Sequence, residues 1–350
     1  MRTERDSMGE MEIPDEAMWG AQTQRAVLNF PISDLRFPRS MIRALGLLKR
    51  ASAEVNLDLG VIEPGIGGAV VEAAQEVADG GLDEHFVVDI FQTGSGTSSN
   101  MNVNEVIANR ATQILGGEFG SRMVHPNDHV NQGQSSNDII PTAIQLAAAQ
   151  GIQDELMPAV ERLAASLDRK SQEFMPIVKT GRTHLQDATP IRLGQEFLGH
   201  AGQMERATRR AQHALDELAE VPLGGTAVGT GINAHPEFAT RVCRRLAELT
   251  HIPVHETSNH FQAQSTLNTL VEASGAMNTI AVSMMKIAND VRWLGSGPRS
   301  GIAEIALPEV QPGSSIMPAK VNPVICESMI QVAVRVIAND SAVTYAGFGG

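Results

Sequence analysis

The sequence predicts an all-α protein, and three observations lead to that class. Apolar residues recur every three to four positions over long stretches, whereas the alternation typical of half-buried strands is scarce. Only 4% of the residues are aromatic, so the core of this 42% hydrophobic chain is built from aliphatic side chains and 15 Met, a mix that suits helix-on-helix packing. The 350 residues are enough for two domains with a substantial core.

The predicted helices follow in chain order. Residues 41–59 form one of several shorter helices in a region richer in Gly and Pro. Residues 142–174 have helical spacing, and we expect Pro158 to kink that helix. Another helix is predicted to begin at Pro190 and to bury one face, made of Leu193, Phe197, Ala201 and Met204. Pro323 is placed to start a last helix, with apolar positions at Ile325, Met329, Val332 and Val336.

The longest predicted helix covers residues 263–294, roughly 48 Å at about 1.5 Å per residue. Its apolar or small positions alternate spacings of four and three, as in a heptad seam: Leu270, Ser274, Met277, Ala281, Met284, Ala288 and Val291. Such narrow seams imply a bundle that also packs against other copies of the chain. We therefore predict an N-terminal domain over residues 1–130 and a central helical bundle over residues 131–350.

The charge and cysteine content narrow the functional classes. A net charge of −13 argues against nucleic acid and anionic membrane as partners, although a few convergent cations and N–H groups still suffice to bind an anionic substrate. Two cysteines, Cys243 and Cys326, do not make a disulfide framework and fit a reducing compartment. No secretory signal is visible near Met1, and no apolar run approaches the roughly 20 residues of a membrane span.

Residues 313–323 (GSSIMPAKVNP) carry the strongest chemical signal in the chain. They combine two hydroxyls, an ammonium and an amide with a glycine that permits a tight turn, which suits a loop that handles an anion. A Gly-Ser-Ser sequence alone is more often an ordinary interhelical loop. The full string of eleven residues favours the catalytic interpretation.

Four further segments are rich in Gly, Ser, Thr and Asn: residues 93–102 (TGSGTSSNMN), 125–131 (HPNDHVN), 134–138 (QSSND) and 181–187 (GRTHLQD). Each, taken singly, is explained by helix capping or by a structural histidine. The second resembles a metal site only superficially, because no further ligand cluster completes it, and we expect neither a metal nor a cofactor.

Taken together, these five segments resemble the fumarase/aspartase superfamily, and in order and spacing its class II fumarases. The resemblance runs from residues 8–9 (MG) and 19–25 (WGAQTQR) to the end of the chain. It implies a small helical N-terminal domain, a central domain forming a twenty-helix core in a homotetramer, and a small C-terminal domain, with each active site assembled from three subunits. Because the family continues beyond Gly350, we expect a truncated chain that lacks the C-terminal domain.

The resemblance also implies roles for individual residues. One substrate carboxylate is bound by Ser95, Gly96, Thr97, Ser135, Ser136 and Asn137. The rest of the substrate is held by Thr183, Ser315, Lys320, Val321 and Asn322. The catalytic residues are His184, Ser314 and Glu327. A second, outer dicarboxylate site is formed by Arg122, His125, Pro126, Asn127 and Asp128. Two positions depart from the family's usual residues, with Ser98 where Gln is frequent and Ala319 where Gly is frequent.

The implied activity is the reversible hydration of fumarate to L-malate, a tricarboxylic acid cycle reaction, in the cytoplasm. Its reverse removes a weakly acidic proton beside a carboxylate, so donors such as Lys320 and Asn322 are needed where negative charge develops. Ser314 acts as a base only if its alkoxide is stabilised. Two alternatives stay open: an aspartate ammonia-lyase, although aspartases typically carry Gln where this chain has His184, and an inactive or structural relative such as the lens crystallins.

Overall fold

The computed structural model describes residues 1–349, and it confirms the all-α class. In the described residues, strands occur only as three short two-stranded pairings. The chain divides into two compact units, each built from two separate stretches. Unit 1 comprises Met1–Gly151 with Leu218–Leu267, and unit 2 comprises Ile152–Glu217 with Asn268–Gly349. The domain division at residue 130 remains a prediction.

Unit 1 is a helical core with an N-terminal hairpin. Its helices are α1 (Ala21–Asn29), α2 (Arg39–Asp58), α3 (Pro64–Asp79), α4 (Thr97–Ile114), α5 (Ser136–Gly151), α8 (Phe238–Thr250) and α9 (His260–Ser265). Its strands are β1 (Arg2–Asp6) and β2 (Gly9–Ile13), which are antiparallel, and β5 (Glu220–Val221) and β6 (His255–Glu256), which are parallel. Helix α2 packs against α3, α5 and α8, and it matches the helix predicted at residues 41–59.

Local sequence explains where these helices begin and end. Helix α3 starts with Pro64, whose missing N–H is not needed in a first turn, and the Glu63 carboxylate accepts from the N–H groups of Gly65 and Ile66 at 3.3 Å each. It ends at Gly80, whose left-handed φ of 93° closes the last turn.

Unit 2 consists of long helices and one hairpin. Its helices are α6 (Met157–Phe174), α7 (Leu193–Leu218, to residue 217 in this unit), α10 (Asn268–Leu294) and α11 (Val324–Gly347). The hairpin pairs β3 (Val178–Thr183) with β4 (Gln186–Arg192). Helices α10 and α11 pack along each other, and Asp340 accepts hydrogen bonds from Ser274 Oγ at 2.7 Å and Asn278 Nδ2 at 2.6 Å.

Three predicted helices differ from the structure. Pro158 does not kink a continuous helix, because the chain passes through a π-helical turn at Ile152–Leu156 and the proline lies in the first turn of α6. Pro190 does not begin a helix but pairs with Thr180 in β4, where a two-stranded hairpin tolerates a missing N–H. The long helix begins at Asn268 rather than residue 263, since α9 ends at Ser265.

Within the single chain, the buried residues of α10 have the predicted heptad spacing but are mostly not those of the predicted seam. Residues buried within the chain recur every seven positions at Ala273, Ile280, Ile287 and Leu294. Of the predicted seam, only Ala281 and Ala288 are buried.

Helix α11 begins after Pro323 as predicted, but it leaves apolar side chains uncovered. Its one buried residue is Ala333, whereas Ile325 is 68% exposed and Val332 is 56% exposed. In the part of the chain that the structure describes, no helix combines the length and apolarity that a membrane crossing requires.

Candidate active site

Two of the predicted substrate-binding segments meet at neighbouring helix starts in unit 1. Gly96, with a left-handed φ of 68°, turns the chain into α4. A Cβ at this position would lie 2.9 Å from Ile140 Cγ2 on α5, so the close approach of the two helices requires glycine. Across the same contact, Asn100 Nδ2 donates to Ser136 Oγ at 3.1 Å. Two positive helix ends therefore lie side by side, which favours a carboxylate.

The side chains at these helix starts are polar and partly solvated. Ser95 Oγ and Thr97 Oγ1 are 2.8 Å apart in one hydrogen bond, and Ser95 is exposed. Ser135 Oγ accepts from the Asn137 N–H at 3.3 Å. Asn137 is exposed, and its Nδ2 donates to the Ala227 carbonyl at 2.7 Å. The predicted carboxylate-binding residues thus converge, and they present hydroxyl and amide donors.

The predicted second dicarboxylate site lies on a cleft of about 380 Å³ in unit 1. Four of its five predicted residues line this cleft: Arg122, His125, Pro126 and Asn127. The fifth, Asp128, is 3.2 Å from His125 Nδ1 through Oδ2, and its N–H donates to that nitrogen at 3.1 Å. Within residues 1–349, no group of three His, Cys, Asp or Glu side chains has an arrangement that would hold a metal ion.

The Gly-Arg-Thr-His segment forms the tip of the β3–β4 hairpin in unit 2. Thr183 pairs with Gln186, so His184 and Leu185 are the two turn residues. Their φ values of 51° and 65° are both left-handed, the geometry of a type I′ turn that normally uses Asn and Gly. Holding two larger residues in this conformation costs of order 1 kcal/mol each, and strain of this kind is typical of functional sites. Both side chains are exposed.

Ion pairs anchor the base of this hairpin. Lys179 contacts Glu196 at 2.9 Å and Glu304 at 2.5 Å, and Arg182 contacts Glu304 at 2.6 Å. Burial disfavours the Glu304 carboxylate, but its contacts with Arg182 and Lys179 outweigh burial and lower its pKa. These pairs fix β3, which leads into the turn with His184, to the segment around residue 304.

The loop at residues 313–323 is closed by backbone and amide hydrogen bonds. The Gly313 N–H donates to the Lys320 carbonyl at 2.7 Å, and Asn322 Nδ2 donates to the Gly313 carbonyl at 2.9 Å. Ser314 Oγ accepts from the N–H groups of Ile316 at 3.3 Å and Met317 at 3.0 Å. Such local contacts are typical of a serine turn, and N–H donors at this oxygen also favour a negative charge on it.

Other predicted residues of unit 2 are open to solvent or near it. Ser315, Lys320 and Val321 are exposed, whereas Asn322 and Glu327 are half-buried. Glu327 lies in the first turn of α11. Among the described residues of this single chain, no hydrogen bond or ion pair joins His184 to Ser314 or to Glu327.

Comparison with known proteins places this arrangement in a family. Residues 9–338 match the family described as Lyase. The chain is 53% identical to human mitochondrial fumarate hydratase, covering all of this chain and 69% of that protein. It is 52% identical to the class II fumarate hydratase of Nitrosomonas europaea, covering all of this chain and 76% of that protein.

The chain belongs to the class II fumarate hydratase family. The crystal structure of a recombinant class II fumarase from Schistosoma mansoni superposes with a TM-score of 0.97 at 39% identity, covering all of this chain and 77% of that one. A structure described as fumarate lyase:delta crystallin from Brucella melitensis superposes with a TM-score of 0.95 at 47% identity, covering all of this chain and 76% of that one.

One residue of the loop at residues 313–323 has a strained backbone. Ala319 has a left-handed φ of 61°, a conformation that favours glycine. An alanine there strains the loop by about 1 to 2 kcal/mol relative to an unstrained conformation. The loop therefore keeps at Ala319 a left-handed backbone conformation that usually requires glycine.

Sequence reasoning missed two buried charged residues behind the predicted carboxylate-binding segments, Lys49 on α2 and Asp138 on α5. The sequence does contain a signal for Asp138, because Ser135 and Asp138 have the spacing of a capping box. In the structure the Ser135 N–H donates to Asp138 Oδ1 at 2.9 Å. The sequence signal for a buried Lys49 was weaker. Lys49 is a charged residue in an otherwise apolar stripe of a helix, next to Leu45 and Leu48.

Proposed function

We infer that this protein catalyses the reversible addition of water to fumarate to give L-malate. The observation that carries this conclusion is its membership of the class II fumarate hydratase family over its whole length, at 52 to 53% identity to the hydratases above. The chemically distinctive residues His184, Ser314 and Lys320 are all present. The reaction is proposed to need no cofactor.

One substrate carboxylate is proposed to bind at the paired starts of α4 and α5. The support is the convergence of two helix N-termini with Thr97, Ser136 and Asn137 at one place, joined by the Asn100 to Ser136 hydrogen bond of 3.1 Å. Oriented N–H groups bind a carboxylate without a buried cation, so an acidic protein can still bind an anion there.

Ser314 is proposed to remove the weakly acidic proton from the carbon of L-malate that lies beside a carboxylate. Lys320 and Asn322 are proposed to stabilise the resulting aci-carboxylate. The two N–H groups that donate to Ser314 Oγ support an alkoxide at this position. Preorganised donors aimed at developing charge are worth about 3 to 4 kcal/mol each in the transition state. Ser315 and Val321 are proposed to complete this part of the substrate site.

His184 is proposed to exchange a proton with the water or hydroxyl group, with Thr183 beside it and Glu327 orienting it. An exposed histidine at the tip of a strained turn is free to project into a site. The histidine also disfavours the aspartate ammonia-lyase alternative, because aspartases typically carry Gln at the matching position.

A homotetramer with shared active sites is part of the proposal. It is supported by the apolar side chains that α11 leaves exposed, such as Ile325 and Val332, and by the lack of a His184 to Glu327 contact among the described residues of one chain. A cytoplasmic location is proposed because Cys243 and Cys326 are both free thiols. The cleft at Arg122 and His125 is proposed as the second dicarboxylate site.

The test is direct. Fumarate and L-aspartate are supplied separately, and the ultraviolet absorbance of the conjugated diacid is followed. We expect fumarate to be consumed and L-aspartate to be unchanged. Ser314→Ala should lower turnover by about 100- to 10,000-fold, the range for a positioned base, while Ser258→Ala, an exposed serine of unit 1, should not. Release of fumarate from L-aspartate, or near-normal turnover by folded Ser314→Ala, would contradict the proposal.

A further inference from the structure

A buried polar cluster lies behind the carboxylate-binding helix starts of unit 1. Lys49 on α2 has no exposed surface, and its Nζ donates to Asn131 Oδ1 at 2.8 Å and Gln134 Oε1 at 2.9 Å. Asp138 on α5 is likewise fully buried. Both side chains therefore carry the desolvation cost of a buried ionisable group, which an apolar core would avoid.

The Asp138 carboxylate accepts all its hydrogen bonds from backbone N–H groups at the start of α5 and in the loop before α8. Its Oδ1 accepts from the Ser135 N–H at 2.9 Å, and its Oδ2 accepts from the N–H groups of Gly224 at 3.1 Å and Thr226 at 3.0 Å. One carboxylate thus joins the start of α5 to the loop that precedes α8. That loop then holds a substrate-binding side chain, since the Ala227 carbonyl accepts from Asn137 Nδ2.

Lys49 acts on the same segment from the other side. Asn131, which accepts from Lys49, is also contacted by Asn100 Nδ2 at 3.3 Å, and Asn100 donates to Ser136 Oγ. Gln134, the other acceptor, immediately precedes Ser135. Burial lowers the pKa of Lys49 to about 7, and a neutral amine still has two protons for its two amide acceptors.

We propose that Lys49 and Asp138 are positioning residues that hold Ser135, Ser136 and Asn137 in the geometry that binds a substrate carboxylate. This inference rests on the proposed function, in that those three residues contact a dicarboxylate. Neither Lys49 nor Asp138 needs to touch the substrate, because each acts through the segment it fixes. Loss of either removes part of the support of this segment, which then depends on the contacts of Asn137 with the Ala227 carbonyl and of Ser136 with Asn100.

The proposal predicts weaker carboxylate binding rather than loss of chemistry alone. Lys49→Met removes the Lys49 donor from the amide oxygens of Asn131 and Gln134, and Asp138→Asn places an NH₂ group against N–H donors. A misplaced charged hydrogen bond lowers affinity about 10- to 100-fold. Because the carboxylate is held in both the ground state and the transition state, KM should rise more than kcat falls.

The experiment compares Lys49→Met and Asp138→Asn with Leu48→Ala. Leu48 is the fully buried neighbour of Lys49, so its truncation destabilises the same helix without removing a polar contact. Folding is checked by circular dichroism and thermal melting. Binding of succinate, a dicarboxylate that cannot react, is measured by calorimetry, and fumarate turnover is measured in parallel.

We expect both polar variants to raise the succinate Kd and the fumarate KM at least tenfold, and Leu48→Ala to stay within twofold of the unmodified protein. A folded Lys49→Met or Asp138→Asn protein that binds succinate within twofold of the unmodified protein would overturn the inference. Asp138→Asn keeps the side-chain size. If Lys49→Met does not fold, the succinate affinity of Asp138→Asn by itself supports or overturns the inference. Failure of the unmodified protein to convert fumarate would instead contradict the proposed hydratase activity, a separate result from the succinate affinities.

Discussion

Gly313→Ala tests whether the shape of the loop at residues 313–323 controls catalysis. A Cβ at Gly313 would lie 2.5 Å from the Asn322 backbone nitrogen and 2.7 Å from Asn322 Cγ and Oδ1. The distance from this Cβ to the Asn322 nitrogen is about 0.9 Å shorter than the 3.4 Å at which ordinary van der Waals contact begins. The atoms in the way belong to the loop itself, so the part of the loop that carries Lys320 and Asn322 must move.

The magnitude of the effect follows from that displacement. A shift of about 1 Å in a positioned catalytic group costs on the order of 100-fold in rate. The shift also strains the bonds of 2.7 Å and 2.9 Å that close the loop through Gly313. Since the loop is largely exposed, unfolding free energy should fall by no more than about 1 kcal/mol.

The measurement is steady-state fumarate hydration with unfolding followed in urea. The control is Gly68→Ala in α3, where a new Cβ meets nothing within 4 Å. We expect Gly313→Ala to lose about 100-fold in turnover and Gly68→Ala to be unaffected. Turnover of Gly313→Ala within twofold of the unmodified protein would refute the argument that this loop is held in its catalytic geometry by a glycine contact.

Three further predictions concern the strained and buried positions. Ala319→Gly should keep turnover, whereas Ala319→Val should lower it at least tenfold, because a β-branched residue does not tolerate the left-handed φ of 61°; equal kinetics of the two variants would contradict this. His184→Asn should keep the hairpin, since Asn accepts left-handed φ, yet lower turnover by about 100- to 10,000-fold. Adding Glu327→Gln should then cost little more, and simple multiplication of the two losses would argue against the pair. Burial holds the pKa of Lys49 near 7, below its ordinary 10.5, so between these pH values the unfolded chain carries a proton that the folded chain lacks. Unfolding free energy relative to Lys49→Met should therefore rise by up to about 1.4 kcal/mol per pH unit above pH 7, as urea titrations at several pH values would show, and a pH-independent difference would contradict the burial effect.

The elements that the sequence predicted well are those encoded locally. The helix over residues 41–59 follows from apolar spacing, and the helix after Pro323 follows from apolar spacing and from the proline that precedes it. Neighbouring residues determine both features. The candidate substrate-binding and catalytic segments were recognisable as short motifs. Their identity required no knowledge of contacts across the fold.

The sequence by itself thus determined an all-α class, the principal helices and membership of a lyase family. Only the tertiary structure decided that Pro190 lies in a strand, because pairing with Thr180 outweighs a proline's preference for a helix start. It also decided the buried register of α10, which depends on what packs against the helix. Lys49 and Asp138 act on residues 82 to 88 positions away in sequence, and no local pattern specifies such contacts. Burial and long-range hydrogen bonding are properties of the folded chain, so the support behind the substrate site appears only there.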